Sequence, residues 1–239
     1  MNNWLSENQK QIDYFISSKD VILVDRKKHL ETLVELFSAY FPEKKGLRFL
    51  DVGCGDGVVS RILFDRFPEN EFHLLDGSKV MLEKAKEFFP GGNAIFHNVT
   101  FEHFFSKNVN ENYFDFVFSS MAIHHVEHHK KFELYSNIFT ILKHGGLFVN
   151  IDAVLPSSNK TEAIQFKLWK DYIDGLLIAS KREEEIEKHK DLIASYKRKG
   201  ENKPSSLSSQ LTMLNEIGFK DVECYHKNGI FVLVAGIKF

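Results

Sequence analysis

Cysteine is scarce in this chain: of 239 residues only Cys54 and Cys224 are cysteines, they lie far apart, and the first sits inside a glycine-rich turn. That spacing offers no disulfide framework and points to a reducing compartment. A dominant charge is also lacking. The formal net charge is −2, the charges are well mixed, and no polybasic run exists beyond Lys197, Arg198 and Lys199. Nothing in that balance asks for nucleic acid as a partner. The N-terminus, MNNWLSENQKQ, has neither a basic n-region nor an apolar h-region, and no apolar run approaches the thickness of a bilayer. A cytoplasmic protein away from the membrane is the expectation. Internal repeats and low-complexity tracts are absent, and 239 residues suffice for one sizeable core, so a single domain over 1–239 is expected.

What the chain does have is LRFLDVGCGDG, Leu47 to Gly57. A short apolar run ends in Asp51 and is followed by glycines at every second position, Gly53, Gly55 and Gly57. The pattern predicts a strand, a tight turn and a helix start, where a ligand can approach the main chain of Gly53, Cys54 and Gly55 without meeting a Cβ. A dinucleotide fingerprint would read G-x-G-x-x-G and a phosphate loop would end in Gly-Lys-Ser/Thr; here there is no Lys or Arg between Asp51 and Ser60. Asp51 and Asp56 instead make the turn negative, which suits a ligand carrying an ammonium and a sulfonium. This stretch resembles motif I of the class I S-adenosylmethionine (SAM) methyltransferases.

Around it, strands and helices alternate. EFHLLD ends in Asp76, followed by Gly77, where a carboxylate can accept from both hydroxyls of a ribose. Ser78 is placed to cap the next helix, which brings Met81 toward an adenine edge. NAIFHNV leads to Thr100 and Phe101. In the family resembled an acid commonly stands at the position of Thr100, so the resemblance assigns the adenine to the Thr100 hydroxyl or to backbone groups of Thr100 and Phe101. YFDFVFSS is a fourth strand whose carboxyl end, from Ser119 to His125, lines the cleft beside the sulfonium. The segment from Met121 to Gly146 is predicted as one helix stopped by Gly145 and Gly146. The succession of strand, S-x-x-x-x-H-H, helix and L-K-x-G-G also resembles that family.

His124, His125, His128 and His129 invite a metal reading because i, i+4 pairs share a helix face, but no Cys or Asp nearby completes a ligand set. No metal is expected. His124, the first imidazole past strand four, is the candidate for a general base or for orienting the acceptor, against a role in capping or packing. Residues 1–45 read as a helical N-terminal lid, with Tyr14 over the cofactor and Arg26 as a cation for its carboxylate. Residues 46–155 form the cofactor-binding core and 156–204 a helical insertion over the acceptor site, in which Trp169 and Tyr172 are candidate substrate contacts. A closing helix and a hairpin through Asn228 and Gly229 occupy 205–239.

The expected fold is therefore α/β, doubly wound and Rossmann-like, with a seven-stranded mixed sheet, a C-terminal antiparallel hairpin and a helical lid. The resemblance implies transfer of a methyl group from SAM to O, N or C of a small-molecule acceptor, with S-adenosylhomocysteine as product and a homodimer as one possible assembly. It also implies two alternatives. One is a carboxy-SAM synthase of tRNA wobble-uridine modification, with Lys203 near the place of the required cation; the other is a protein that binds SAM without turnover.

Overall fold

The computed structural model describes residues 19–43, 45–91, 94–107, 110–189, 196 and 200–239. Tyr14 lies outside them. Apolar residues at helical intervals, Leu33, Val34 and Phe37, bury one face of α1 (Arg26–Tyr40), which ends just ahead of Pro42. From there strands and helices alternate as β1 (Arg48–Val52), α2 (Val58–Arg66), β2 (Glu71–Leu75), α3 (Lys79–Lys86), β3 (Ala94–His97), α4 (Phe101–Ser106), β4 (Phe114–Ser120), α5 (His128–Ile141) and β5 (Leu142–Ala153). The insertion supplies α6 (Asn159–Ala179) and α7 (Ile186–His189), and the chain closes with α8 (Leu207–Ile217), β6 (Lys220–Asn228) and β7 (Phe231–Ile237).

The seven strands form one sheet in the order β3-β2-β1-β4-β5-β7-β6, with β1 to β5 parallel and β7 antiparallel to both β5 and β6. Because side chains alternate across a strand, neighbouring residues serve opposite cores. Phe49, Phe72, Leu74, Phe116 and Phe118 pack with α1, α2 and α3, whereas Leu50, Val52, Leu75, Phe114 and Val117 pack with α4, α5 and α8. A third apolar cluster lies at the strands' carboxyl end: Val21 and Val24 meet Phe166, Trp169, Ile173 and Leu177 of α6 and Phe231 of β7. The Trp169 indole N–H donates to the Ile22 carbonyl at 2.7 Å, tying the insertion to the segment that enters α1.

One expected element is different. The stretch from Met121 to Gly146 is a 3-10 turn at Ile123–His125, a break, and then α5, which stops at Ile141 before either glycine. Leu142 already pairs with Phe114, so the strand begins there, and the register shifts before Leu147 pairs with Phe116. Gly145 takes a φ of +79° and its N–H donates to the Lys238 carbonyl at 2.6 Å. These glycines shape a bulge in β5 and do not stop the helix.

Phe37 is fully buried and its ring meets those of Phe49, Phe67 and Phe116 within 5.4 Å. Phe37→Ala removes this wedge between α1 and the sheet and should cost about 3–5 kcal/mol, measured by urea unfolding. A cost below about 1 kcal/mol would show that α1 does not help hold the sheet.

Candidate active site

The turn between β1 and α2 is drawn toward β2: Gly53 and Cys54 both donate their N–H groups to the Leu75 carbonyl, at 2.8 and 3.0 Å. Its three glycines do different work. A Cβ on Gly53 would lie 2.3 Å from the Cβ of Ala122 and 3.2 Å from the Phe101 ring, and one on Gly57 would lie 2.8 Å from the Cβ of Ala85. Those two positions are bare because protein packs where a Cβ would stand. Gly55 is the open one, with only the Met81 methyl at 3.8 Å, an ordinary contact distance. Beside it, Asp76 accepts from the Gly55 N–H at 2.8 Å and from the Ser78 N–H at 2.7 Å, one with each carboxylate oxygen. Each oxygen keeps a further lone pair. Ser78 caps α3 by accepting from the Met81 N–H, so Asp76, Gly77 and Met81 are held as a unit against the turn.

Carboxylates dominate the electrostatics. Asp51 is 2 % exposed; one oxygen accepts from the Ser60 hydroxyl at 2.7 Å, and the other is sealed with no hydrogen-bond partner among the described residues. Burial, reinforced by Asp76 and Asp56, pushes its carboxyl up to about 7. Burial also raises Asp76, and it raises the Cys54 thiol, with the neighbouring acids adding to the effect; Cys54 thus stays neutral in the turn. Asp56 is met by the Lys19 ammonium at 2.5 Å. The glycine-rich segment has no cation of its own; this one comes from the N-terminal side, 37 residues away, where no local signal marks it. Burial lowers the Lys19 pKa and the nearby Arg26 adds to it, while Arg26 itself donates to the exposed Asp20 at 2.5 Å.

The other expected cofactor contacts divide. Thr100 caps α4, accepting from the His103 N–H at 3.3 Å, and the Phe101 ring lies against Gly53. Ser119 is 1 % exposed and its hydroxyl donates to the Val52 carbonyl at 2.7 Å, so it joins β4 to β1 beneath the cleft and presents no polar group to it. Trp169 is likewise a buried element of the lid core, its indole N–H already engaged by Ile22, and Tyr172 packs at the edge of that core.

The histidines separate into two tasks. The side chain of His124, 4 % exposed, turns from the 3-10 segment onto the carboxyl end of β5, where its Nδ1 meets Asp152, itself 1 % exposed. An ionised carboxylate only accepts, so Nδ1–H is the donor. The rest of the cluster holds down the strap that returns from the insertion. His125 Nδ1 donates to the Glu201 carbonyl at 3.2 Å, His128 Nδ1 and the Ser205 hydroxyl are 2.7 Å apart, and the buried Lys131 ammonium donates to the Lys203 carbonyl at 2.6 Å. The Lys203 N–H donates to the His124 carbonyl at 2.6 Å, and its ammonium pairs with Glu127. Burial keeps Lys131 at a pKa of about 8, below its ordinary value, and drives His125 down to about 2. Among the described residues no group of three or more His, Cys, Asp or Glu could hold a metal. Asp152 carried no motif, yet the rule that singles out Asp51 and Asp76, an acid at a parallel strand's carboxyl end, applies to it as well.

Comparison with known proteins agrees with this geometry. Residues 49–146 match a family described as a methyltransferase domain. A malonyl-[acyl-carrier protein] O-methyltransferase of Ilyobacter polytropus is 32 % identical over 124 residues, half of this chain and 42 % of that protein. A trans-aconitate 2-methyltransferase of Pseudomonas paraeruginosa is 37 % identical over 60 residues, 25 % of this chain and 20 % of that protein. The chain thus spans less than half the length of these curated relatives. Among solved structures, a Haemonchus contortus phosphoethanolamine N-methyltransferase in complex with SAM superposes with a TM-score of 0.65 at 15 % identity, covering 99 % of this chain and 59 % of that one. A SAM-dependent methyltransferase of Mesorhizobium loti gives 0.57 at 19 % identity, covering 85 % of this chain and 96 % of its own. Residues 49–146 thus match a methyltransferase domain, in a chain whose strand order and glycine turn are similar to those of the class I SAM-dependent methyltransferases.

Proposed function

We propose that this protein transfers a methyl group from SAM to an O, N or C atom of a small-molecule acceptor, leaving S-adenosylhomocysteine. The observation that carries the reading is Gly55, the one glycine of the turn that packing leaves open among the described residues, whose N–H donates to the Asp76 carboxylate at 2.8 Å. The acids Asp51, Asp56 and Asp76 gathered at that turn favour a cationic ligand, and the SAM ammonium is one. The other donors and acceptors fit the same ligand. Asp76 and Gly77 would hold the ribose, Met81, Thr100 and Phe101 the adenine, and Gly53 to Gly55 the main-chain side. Arg26, with Lys19 beside it, would meet the carboxylate, and Tyr14 would cover the site.

Bound SAM supplies an electrophilic methyl group, so what is left to the chain is alignment and the exclusion of water. The lid core of α6 and the strap pinned by His125, His128 and Lys131 serve that exclusion, within a single domain over 1–239. The printed functions of the relatives, on malonyl-[acyl-carrier protein] and trans-aconitate, support an acceptor that is a small molecule or a small acyl group on a carrier protein. Lys203, on which the carboxy-SAM reading rests, has its ammonium on Glu127, so that reading gains nothing from it. Both cysteines are free, which fits a cytoplasmic setting, and no helix among the described residues is long and apolar enough to cross a membrane.

Two measurements test the cofactor assignments. Asp76→Ala should weaken SAM binding by on the order of 1–3 kcal/mol, a roughly 5- to 150-fold rise in Kd by calorimetric titration. Unchanged affinity in a folded variant would remove Asp76 from the ribose. Burial holds the Asp51 carboxyl at about 7 in the fold, above its ordinary value of 3.8, so its contribution to stability is complete below about pH 4 and is lost as pH rises through 7. Asp51→Asn should therefore unfold later than the parent above pH 7, by roughly 1–3 kcal/mol, with the gap closing near pH 4. At the higher pH it should also bind SAM more weakly. A gap that does not change with pH would mean that Asp51 is ionised at little cost and lacks no partner.

A further inference from the structure

We propose that Asp152 is the positioning residue that fixes His124 as the proton-taking group of the acceptor site, and that the acceptor accordingly attacks through an atom bearing a removable proton, a hydroxyl or a protonated amine. This rests on the methyltransfer reading above.

Position comes first. β4 and β5 run side by side, with Ser120 opposite Ile151, so the residues just beyond them, Met121 to His124 and Asp152, lie at the same edge of the sheet. Ala122 packs directly on Gly53 of the cofactor turn, and His124 follows two residues later. The backbone leaving β4 thus passes the turn, and the imidazole turns from it onto the carboxyl end of β5. Its orientation is overdetermined. Asp152 Oδ1 accepts from the Ala153 N–H at 2.9 Å and from His124 Nδ1, while the strap holds the backbone of His124 through the Lys203 N–H at 2.6 Å.

The tautomer follows from that orientation. With Nδ1–H donating to a carboxylate, the neutral ring carries its lone pair on Nε2. Nε2 has no hydrogen-bond partner among the described residues, and it is not among the sealed polar atoms, so a small group can reach it. A histidine that only held the fold together would be expected to engage both ring nitrogens at 4 % exposure; this one keeps its basic nitrogen open. The charged and titratable groups around it are Lys131 of α5, whose ammonium donates to the Lys203 carbonyl and also feels the Asp152 charge, Glu127 at the start of α5 paired with the Lys203 ammonium, Tyr135 donating to Gln210, Tyr196 near Asp152, and the adjacent neutral His125. Beside these, His124 is the side chain that hydrogen-bonds Asp152, which stabilises an imidazolium there.

In the transfer, a lone pair of the attacking atom, which in a protonated amine is freed only once its proton has passed to His124 Nε2, forms the bond to the methyl carbon and the carbon–sulfur pair remains on sulfur. The proton of the attacking atom passes to His124 Nε2, giving an imidazolium paired with Asp152, and from there to solvent. A carboxylate acceptor is already ionised near neutral pH and needs no such group. The dyad therefore points to acceptors that are protonated at the reacting atom.

The tautomer can be read without knowing the acceptor. Imidazole 15N NMR of the full chain, with S-adenosylhomocysteine present and the His124→Gln variant used to assign the resonances, should show neutral His124 protonated at Nδ1 and bare at Nε2. Asp152→Asn should shift the equilibrium toward Nε2–H, and Asp152→Glu should restore the Nδ1–H form. A wild-type ring protonated at Nε2, or a ring indifferent to Asp152→Asn, overturns the role; should that variant not fold, the wild-type tautomer alone decides. Calorimetry with S-adenosylhomocysteine separates the two levels. Absence of binding to the wild type overturns the methyltransfer reading and this role with it, whereas binding accompanied by the wrong tautomer overturns only the dyad.

Discussion

A carboxylate taken out of water must find donors, and three of them converge on one edge of this sheet. Five parallel strands deliver their carboxyl ends to the same side, and β1, β2 and β5 bring Asp51, Asp76 and Asp152 there, all buried or nearly so. Much of the surrounding architecture can be understood as the supply of donors. Asp76 takes the N–H groups of Gly55 and Ser78, which pulls the glycine turn onto the start of α3. Asp152 takes His124 and thereby fixes the segment leaving β4. Asp51 takes Ser60 and retains one sealed oxygen without a partner among the described residues.

The same edge has to be closed against water, and the chain does this with apolar surface on one side and polar ties on the other. Val21, Val24, Trp169 and Phe231 build a small core above the strand ends, remote in sequence from one another. Opposite it, the strap around residues 201–205 is held by backbone carbonyls accepting from His125 and Lys131 and by the contact of His128 with Ser205. Lys131 is an expensive residue to bury, and its three donors suit it to a segment whose carbonyls would otherwise lie unpaired. A histidine cluster that resembles a metal site in sequence thus becomes the fastening of a lid, plus one dyad.

Local pattern made a large part of this legible. The two-residue alternation of the strands, the helical interval of Leu33, Val34 and Phe37, the glycine spacing after Asp51, and Asn228-Gly229 between two apolar runs each act within a few residues, and each appears in the fold. The acids at the ends of β1 and β2 were legible because strand ends in a parallel sheet are where ligands gather. Gly145 and Gly146 misled, since a glycine pair after a helical run is a stop signal, and nothing nearby reveals that Lys238 will draw Gly145 into a bulge.

Pairings across the sheet were decided by tertiary structure alone. Lys19 reaches Asp56 across 37 residues and His124 reaches Asp152 across 28, and neither pairing leaves a periodic trace in the chain. Gly53 and Gly57 look alike in sequence to Gly55, yet their bareness is set by Ala122 and Ala85, brought in from other elements. Ser119 and Trp169 have the right chemistry for a site but have it directed into neighbouring backbone. Sequence by itself determined the elements and the residues offered at their ends, because dihedral preference and amphipathic periodicity are local. Which of those residues meet depended on strand order and on the packing of helices and lid, and so on contacts that form only once the sheet has assembled.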